Sequence, residues 1–493
     1  MGEAHESNGV HPDDNNGAPA MSSSEVRPII IAAGGTGGHF YPAEALAATL
    51  IERGHWVVLM TDARAAAPKS TVFDARNQYV LPGAGIAGRG PVRAGKAVFA
   101  LAAGVARARG IMVRLRPAAV VAFGGYPSVA PVLASRLLRD RPPVILHEQN
   151  AVLGRANRFL MRFATVMALS FAGASRLPAR LRHVHRLMTG NPVRPAVTAL
   201  SQAGYEAPRG PRHDGSIQGG SIRLLVLGGS LGARVFSEVV PWALARLPEA
   251  IRVRLMVTQQ CRAEDLERVR ATYASSGITA ELAPFFPDVA DRLRDAHLVI
   301  ARAGASTVAE LAIAGRPSIL VPLPGAIDDH QTANARALAA AGGAWVMAQP
   351  AFTVVALADR LASLLTDPGT LAQGATCARL MARPDAAEAL ANVVEQAIRE
   401  AAHTRGELAP GGGSGPGQSG TGASGTGQPG VEQSRTGQSG TGPSGTGHSG
   451  SEQSAAGEME AGQAEARRSV MRRPRAGQAG DESGIRRPGA GRS

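Results

Sequence analysis

The chain has 493 residues and a formal net charge of +13, from 52 Lys and Arg against 39 Asp and Glu. Its length predicts two or three domains, and the charge comes almost wholly from Arg, as in Ala-, Gly- and Arg-rich proteins of GC-rich genomes, so no nucleic-acid partner is expected. No apolar run of about 18 residues is present, so a membrane-spanning helix is not expected. A signal peptide is not expected either. The two isolated cysteines fit a reducing compartment.

Low-complexity composition marks both ends of the chain. Residues 1–24 are polar and lack periodic apolar positions, and residues 405–493 are rich in Gly, Ser and Arg with imperfect SGTGQSG-like repeats. Such segments bury too little apolar surface to offset their conformational entropy, so both are predicted to be disordered. Translation is equally compatible with a start at Met1 or Met21.

Between the ends, short apolar runs alternate with helical patterns, which is typical of parallel β-α-β units. The rhythm breaks over residues 195–222, a predicted linker, and then restarts with a similar strand, glycine turn and helix. We therefore predict an α/β fold of two Rossmann-like domains, residues 25–194 and residues 223–404. They would face each other across a cleft lined by the carboxyl ends of their strands.

The first glycine turn, GGTGGH from Gly34 to His39, predicts an anion site at a helix N-terminus. A bare glycine turn without a ligand is the alternative. A dinucleotide site with Asp62 on the ribose is a second alternative, but the GxGxxG pattern fails at Phe40.

The second turn, GGSLG, matches the GxSxG pattern of a hydrolase nucleophile elbow around Ser230. His330, with Asp295 before it, lies in a suitable order downstream. The duplication of the first turn explains the same glycines without a nucleophile, so the hydrolase remains the less favoured alternative.

Polar side chains follow three further strands. HEQN (147–150) and TGNPVR (189–194) lie in the first half, and RAGASTVAE (302–310) opens a helix in the second. A carboxylate at Glu310 could bind the diol of a ribose, or it could simply interact with the helix dipole. Asp328, at the start of the following DDHQTANA segment, is interpreted as a helix cap.

Together these segments resemble the bacterial MurG family, which transfers N-acetylglucosamine (GlcNAc) from UDP-GlcNAc to undecaprenyl-pyrophosphoryl-MurNAc-pentapeptide (lipid I) and so forms lipid II for peptidoglycan. The resemblance covers residues 27–400 and does not extend to either end of the chain. Its motifs are GGTGGHFYPAEALA, FGGYPS, HEQNAVLGRANR, TGNPVR, LGGSLGA, RAGASTVAELAIAGRPSILVP and DDHQTANA. It implies the two-domain glycosyltransferase fold named GT-B.

Carried over residue by residue, the resemblance implies two sets of contacts. On the acceptor and sugar side it places Thr36, Gly37, Gly38 and Asn150. On the donor side it places Arg194 and Ser230 at the diphosphate, the backbone near Phe286 at the uracil, and Gln331 at the sugar. The phosphates and ribose would contact the segment Ala305, Ser306, Thr307, Val308, Ala309 and Glu310.

The resemblance also implies an inverting reaction, because the donor is α-linked and the product is β-1,4-linked. One displacement then needs a general base and stabilisation of the departing UDP. His39 is the candidate base, with a structural role in orienting the acceptor as the alternative, and Glu148 is the fallback. No metal or cofactor is expected, since helix N-termini and Arg194 can stabilise the leaving group.

A lipid acceptor implies a peripheral enzyme at the cytoplasmic face of the membrane, with cell-wall synthesis and division proteins as further partners. Residues 91–117 combine apolar side chains with Arg and Lys, as expected of a basic amphipathic helix on an anionic bilayer. A helix packed in the core with a solvated Arg face is the alternative.

Overall fold

Two parallel β-sheets form the framework of the protein. The computed structural model describes residues 27–34, 37–62, 70, 72–82, 91–181, 184–209, 220–229 and 232–406. The first sheet contains seven strands: β1 (Ile29–Ala32), β2 (Val57–Asp62), β3 (Gln78–Leu81), β4 (Ala119–Ala122), β5 (Val144–Glu148), β6 (Val166–Leu169) and β7 (His185–Met188). The second contains six: β8 (Ile222–Leu227), β9 (Leu255–Gln260), β10 (Thr279–Ala283), β11 (Leu298–Ala301), β12 (Ser318–Leu320) and β13 (Ala344–Val346).

Strand order puts a topological switch point in each sheet. The orders are β3-β2-β1-β4-β5-β6-β7 and β10-β9-β8-β11-β12-β13, so the chain reverses direction across the sheet after β3 and after β10. Crevices form outside the carboxyl ends of the strands at such points. The two glycine turns, after β1 and after β8, lie at these points, and the prediction of two Rossmann-like sheets is confirmed.

Helices cover both faces of each sheet. In the first half they are α1 (Gly37–Glu52), α2 (Pro91–Leu115), α3 (Val129–Arg136), α4 (Arg155–Leu160) and α5 (Pro195–Thr198). In the second half they are α6 (Arg234–Ala245), α7 (Glu249–Arg252), α8 (Leu266–Ser275), α9 (Val289–Asp295), α10 (Ala305–Ala314), α11 (His330–Ala340), α12 (Val354–Thr366), α13 (Pro368–Leu380) and α14 (Ala386–Thr404). Their apolar stripes form a separate core on each face of each sheet.

The second glycine turn needs its first glycine for steric reasons. A Cβ at Gly228 would lie 2.4 Å from the backbone nitrogen of Ala233, which no side chain tolerates. Gln260, at the end of β9, fixes the same turn by accepting from the Gly228 amide at 3.0 Å and donating to the Gly229 carbonyl at 3.0 Å. The backbone is therefore held tightly against the switch point.

Helix α14 corrects the predicted domain bounds. It was assigned with residues 223–404 to the second domain, but Leu390, Ala391 and Val394 lie in the core against the first sheet. Arg53, at the end of α1, pairs with Glu388 and Glu395 of the same helix. The apolar stripe of α14 covers a sheet face that the helices of the first half leave open, so the chain crosses back after α13.

Among the described residues, no helix is both long and apolar enough to cross a bilayer. The predicted disordered segments, residues 1–24 and 405–493, lie outside the described part of the chain, apart from Arg405 and Gly406. Residues 210–219 of the predicted linker, residues 195–222, also lie outside it.

Candidate functional site

The first glycine turn leads directly into α1, which begins at Gly37 and Gly38 and carries His39 as its third residue. A Cβ at Gly37 would lie 2.8 Å from the ring of Tyr41, so a side chain there would displace that ring. Thr36, predicted to contact the sugar or the acceptor diphosphate, lies outside the described residues. The first turn of α1 therefore presents backbone amides and one imidazole at the switch point of the first sheet.

His39 contacts a glutamine that sequence reasoning did not single out. Its Nδ1 lies 3.1 Å from Oε1 of Gln149, which follows β5 in the HEQN segment and is 1% exposed. The only sequence signal was the position of Gln149 beside predicted site residues. His147, of the same segment, is fully buried, and burial lowers its pKa from the ordinary value of 6.5 to about 4, although the Gly190 carbonyl opposes this shift. The charged form of His147 is thus excluded near neutral pH.

Glu148, the fallback base, organises its own loop. One carboxylate oxygen accepts from the backbone and side-chain nitrogens of Asn150 at 3.0 and 3.1 Å. The other accepts from the Gly154 amide and the Asn157 side chain, both at 2.9 Å. Four donors occupy the carboxylate of a side chain that is only 2% exposed. The fallback role does not fit this geometry, because no oxygen remains open to a substrate proton.

Asn150 connects the two halves of the molecule. Its Oδ1 accepts from Asn334 of α11 at 3.0 Å, and Oδ1 of Asn334 accepts from the Ala151 amide at 2.8 Å. Asn334 also donates to the Ala303 carbonyl, after β11, at 3.1 Å and is fully buried. Asn334 therefore joins the HEQN segment to the second sheet through three hydrogen bonds, and we call these bonds the Asn334 latch. The sequence alone did not predict this role.

Asp328 forms a second connection between the halves. Its carboxylate pairs with Arg158 at 2.7 Å and with Arg176, and Arg155 lies 3.6 Å away. Burial alone would raise the pKa of Asp328, but these arginines outweigh it and hold the pKa below 3.8. The interpretation of Asp328 as a helix cap was wrong, because the left-handed backbone at this residue turns its side chain toward the first domain instead.

Arg194 and Glu310, both predicted donor contacts, form an ion pair. Nη2 of Arg194 lies 3.0 Å from Oε1 of Glu310, and the guanidinium lies 5.3 Å from the ring centre of Tyr41 on α1. Burial raises the pKa of Glu310 above its ordinary value of 4.5, and Arg194 opposes this shift only in part. Nε of Arg194 is buried without a protein partner. The pair thus joins α1 to α10 and keeps a donor available for another ligand.

The start of α10 offers backbone donors. The helix begins at Ala305 after Gly304, and no side chain caps its free amides. Ser306 Oγ is buried without a hydrogen-bond partner, while Thr307 is half-buried. Val308 and Ala309 pack against apolar neighbours, and the Val308 amide already donates to the Gly304 carbonyl at 3.0 Å. An anion at this N-terminus would meet unpaired amides and a favourable dipole.

The remaining predicted donor contacts are dispersed. Gln331, on α11, uses its Oε1 to accept from the Leu323 amide at 2.9 Å. The Phe286 ring is buried beneath Arg292, whose guanidinium lies 4.1 Å from the ring centre, so only its backbone could contact a base. Ser230 falls in the gap between the described residues 229 and 232.

The hydrolase alternative does not assemble. Asp295 ends α9 next to the amino end of β11, and it pairs with Arg294. His330 lies beyond the carboxyl end of β12, where its Nδ1 is 2.7 Å from the Ile327 carbonyl. The two residues of the supposed triad therefore lie at opposite edges of a parallel sheet.

The described ranges contain no cluster of three or more His, Cys, Asp or Glu side chains suited to a metal ion.

The Asn334 latch leads to a stability prediction. Asn334→Ala leaves the Ala151 amide and the Ala303 carbonyl without partners, so the free energy of unfolding should fall by about 1–3 kcal/mol. Urea denaturation of the full chain measures this. Ser135→Ala is the control, because the equally buried Ser135 hydroxyl donates only to the Val132 carbonyl of its own helix. Equal losses in the two variants would contradict the latch.

Comparison with known proteins identifies relatives of this site. Residues 29–169 match the glycosyltransferase family 28 N-terminal domain, and residues 223–390 match the family 28 C-terminal domain. The chain is 60% identical over 382 residues to the UDP-N-acetylglucosamine--N-acetylmuramyl-(pentapeptide) pyrophosphoryl-undecaprenol N-acetylglucosamine transferase of Granulibacter bethesdensis, covering 78% of this chain and 97% of that protein. The protein of the same name from Gluconobacter oxydans is 54% identical, with 76% and 99% covered.

A solved structure gives the same result for the fold. The crystal structure of Acinetobacter baumannii MurG is 31% identical, covers 75% of this chain and 99% of its own, and superposes with a TM-score of 0.58. The GT-B fold expected from the sequence motifs is confirmed.

Proposed function

Since this chain belongs to the MurG family of glycosyltransferases, we propose that it transfers GlcNAc from UDP-GlcNAc to the 4-hydroxyl of MurNAc in lipid I, giving lipid II. One observation carries the proposal. Through Tyr41, Arg194 and Glu310, the start of α1 with His39 lies beside α10, whose N-terminus has free amides. A hydroxyl held at α1 and a nucleotide diphosphate held at α10 would thus meet at one place.

The proposed reaction is a single inverting displacement. His39 Nε2 takes the proton of the MurNAc 4-hydroxyl while the hydroxyl oxygen attacks the anomeric carbon of GlcNAc. UDP leaves with the electrons of the glycosidic bond. The α10 amides from Ala305 to Thr307 and the Arg194 guanidinium stabilise the departing diphosphate. Glu310 binds the ribose diol once Arg194 turns to the phosphates.

The remaining contacts of the proposal follow the family motifs. Thr36, Gly37 and Gly38 would lie against the acceptor diphosphate and Asn150 against GlcNAc. Ser230, Gln331 and the backbone near Phe286 would complete the donor side. Because Asn150 and Gln331 already have protein partners, we expect their contacts to be made through their remaining donor or acceptor atoms.

Acceptor choice tests this function. The full chain is incubated with radiolabelled UDP-GlcNAc and either a lipid I analogue or a soluble sugar, and ester hydrolysis is assayed in the same preparation. Label should move to the lipid I analogue alone. Transfer only to the soluble sugar would indicate another acceptor, and hydrolysis without transfer would refute the proposal.

Location follows from the acceptor. We propose that the enzyme is peripheral at the cytoplasmic face of the membrane, near cell-wall synthesis and division proteins, and that α2 docks it. Val98 and Phe99 of α2 are 68% and 78% exposed, and Lys96, Arg107, Arg109 and Arg114 are also exposed. Ala108, Ile111 and Met112 pack in the core of the first domain. One side of α2 anchors the helix, and the other presents apolar and basic groups together.

Charge reversal on α2 should weaken membrane binding. Each basic residue near an anionic surface contributes about 1 kcal/mol, so reversal of Arg107, Arg109 and Arg114 to Glu should lower the partition coefficient by on the order of a hundredfold or more. Co-sedimentation of the full chain with anionic vesicles measures this, and added salt should weaken the wild-type binding. The control reverses the exposed Arg234, Arg246 and Arg360 of the second domain. An equal loss in both variants would show that net charge alone drives binding.

A further inference from the structure

A line of hydrogen bonds runs from His39 to the carbonyl of Gly190, which follows β7. His39 Nδ1 lies 3.1 Å from Gln149 Oε1. Gln149 Nε2 lies 2.9 Å from the Phe123 carbonyl and 3.1 Å from His147 Nδ1. His147 Nε2 lies 2.9 Å from the Gly190 carbonyl. Gln149 and His147 are 1% and 0% exposed, so their arrangement depends on these partners.

Two carbonyls determine the direction of every bond in this line. The Gly190 carbonyl can only accept, so His147 carries its proton on Nε2 and offers a lone pair at Nδ1. The Phe123 carbonyl can only accept as well, so the nitrogen of the Gln149 amide must face it. With the amide reversed, two oxygens would meet at 2.9 Å. Oε1 of Gln149 therefore points at His39, and it can only accept.

The neutral form of His147 keeps the line intact. A protonated His147 would present N–H groups on both ring nitrogens, and its Nδ1–H would face the Gln149 amide hydrogens. Its pKa of about 4, caused mainly by burial, prevents this near neutral pH. The line thus has one orientation at the pH of the cytoplasm.

We propose that Gln149 is a positioning residue that holds His39 in the tautomer with its proton on Nδ1, and this inference rests on the proposed role of His39 as base. The lone pair of His39 is then on Nε2. The nearest chain to this edge of the ring includes Gly125, where a Cβ would lie 3.6 Å from Nε2 and Cδ2 of His39, an ordinary van der Waals contact.

The tautomer decides whether His39 can act. In the displacement, the hydroxyl proton moves to Nε2, the new bond forms between the hydroxyl oxygen and the anomeric carbon, and UDP takes the electrons of the broken bond. The proton on Nδ1 stays in place and donates to Gln149 throughout. An imidazolium forms during this step, and the Gln149 oxygen stabilises it. A His39 with its proton on Nε2 has no lone pair facing the hydroxyl.

Nitrogen NMR of the wild-type chain tests the tautomer directly. The full chain is labelled with ¹⁵N-histidine, and the His39 signals are identified by their loss in His39→Ala. In neutral His39, Nδ1 should be protonated and Nε2 should not. A His39 protonated on Nε2 would overturn the proposal, and this result needs no variant of Gln149.

Gln149→Met provides the functional test, because methionine has the length of glutamine without its amide. The His39 tautomer should shift toward Nε2–H, and kcat should fall by roughly tenfold with the KM for UDP-GlcNAc nearly unchanged, the size expected from one hydrogen bond. Ile145→Val, on the preceding strand β5, is the control for a slight loss of packing. An unchanged tautomer or an unchanged kcat in Gln149→Met would contradict the positioning role.

The two levels of the proposal fail differently. Normal turnover in His39→Ala would refute the base assignment and with it the catalytic meaning of the tautomer. Slow turnover in His39→Ala together with an unchanged tautomer and an unchanged kcat in Gln149→Met would keep the base and refute the role of Gln149.

Discussion

His39→Ala should lower kcat by roughly 10²–10⁴, the contribution of a positioned general base, with little change in the affinity for UDP. The reason is geometric. His39 lies in the first turn of α1 at the switch point, its Nδ1 is bound by Gln149, and none of the proposed uracil, ribose or diphosphate contacts is made by His39. Steady-state kinetics with a lipid I analogue and calorimetry with UDP measure the two quantities.

His55→Ala is the matched control for this variant. His55 follows the opposite end of α1 and pairs with Glu395 of α14, so its loss should affect packing and leave kcat nearly unchanged. A normal kcat in His39→Ala would move the base elsewhere. It would not return the role to Glu148, whose oxygens are occupied by four donors.

Glu310→Ala should weaken UDP binding by about ten- to a hundredfold, because a charge-assisted contact to the ribose diol contributes on the order of 1.5–3 kcal/mol. The ion pair with Arg194 complicates a single measurement, since either variant also leaves its partner unpaired. The affinity must therefore be measured for two ligands, UDP and uridine, by calorimetry.

The two ligands separate the two residues. Uridine has the ribose but no phosphate, so Glu310→Ala should weaken both ligands, whereas Arg194→Ala should weaken UDP and leave uridine nearly unchanged. Thermal unfolding of each variant without ligand reports the loss of the ion pair itself. Unchanged UDP affinity in Glu310→Ala, with lowered stability, would make the pair purely structural.

Local patterns predicted much of the fold. The repeat of a strand, a glycine turn and a helix around Gly34 and Gly228 indicated two similar halves, because a buried parallel strand and a glycine-rich helix start both have strong local signals. Helix α14 could not be placed in this way. Its apolar stripe at Leu390 and Val394 fits any open apolar face, and only the tertiary structure shows which face is open.

The candidate site was predicted in position more than in detail. Motifs placed His39, Glu148 and Glu310 at strand ends, but they could not show which oxygens are already bonded. Glu148 is occupied by its own loop, and Arg194 and Glu310 meet across 116 positions of sequence. Asn334 and Gln149 act through partners that are distant in sequence, and such contacts leave no local signal in a single chain.

The linkage of the product distinguishes inversion from retention at the anomeric carbon. The full chain is incubated with UDP-GlcNAc and lipid I in anionic vesicles, and the disaccharide of the product is analysed by NMR for the position and configuration of its new bond. GlcNAc should be joined β-1,4 to MurNAc, with inversion at the anomeric carbon. An α-linked disaccharide would mean retention at the anomeric carbon, and would contradict a single in-line displacement with His39 as base.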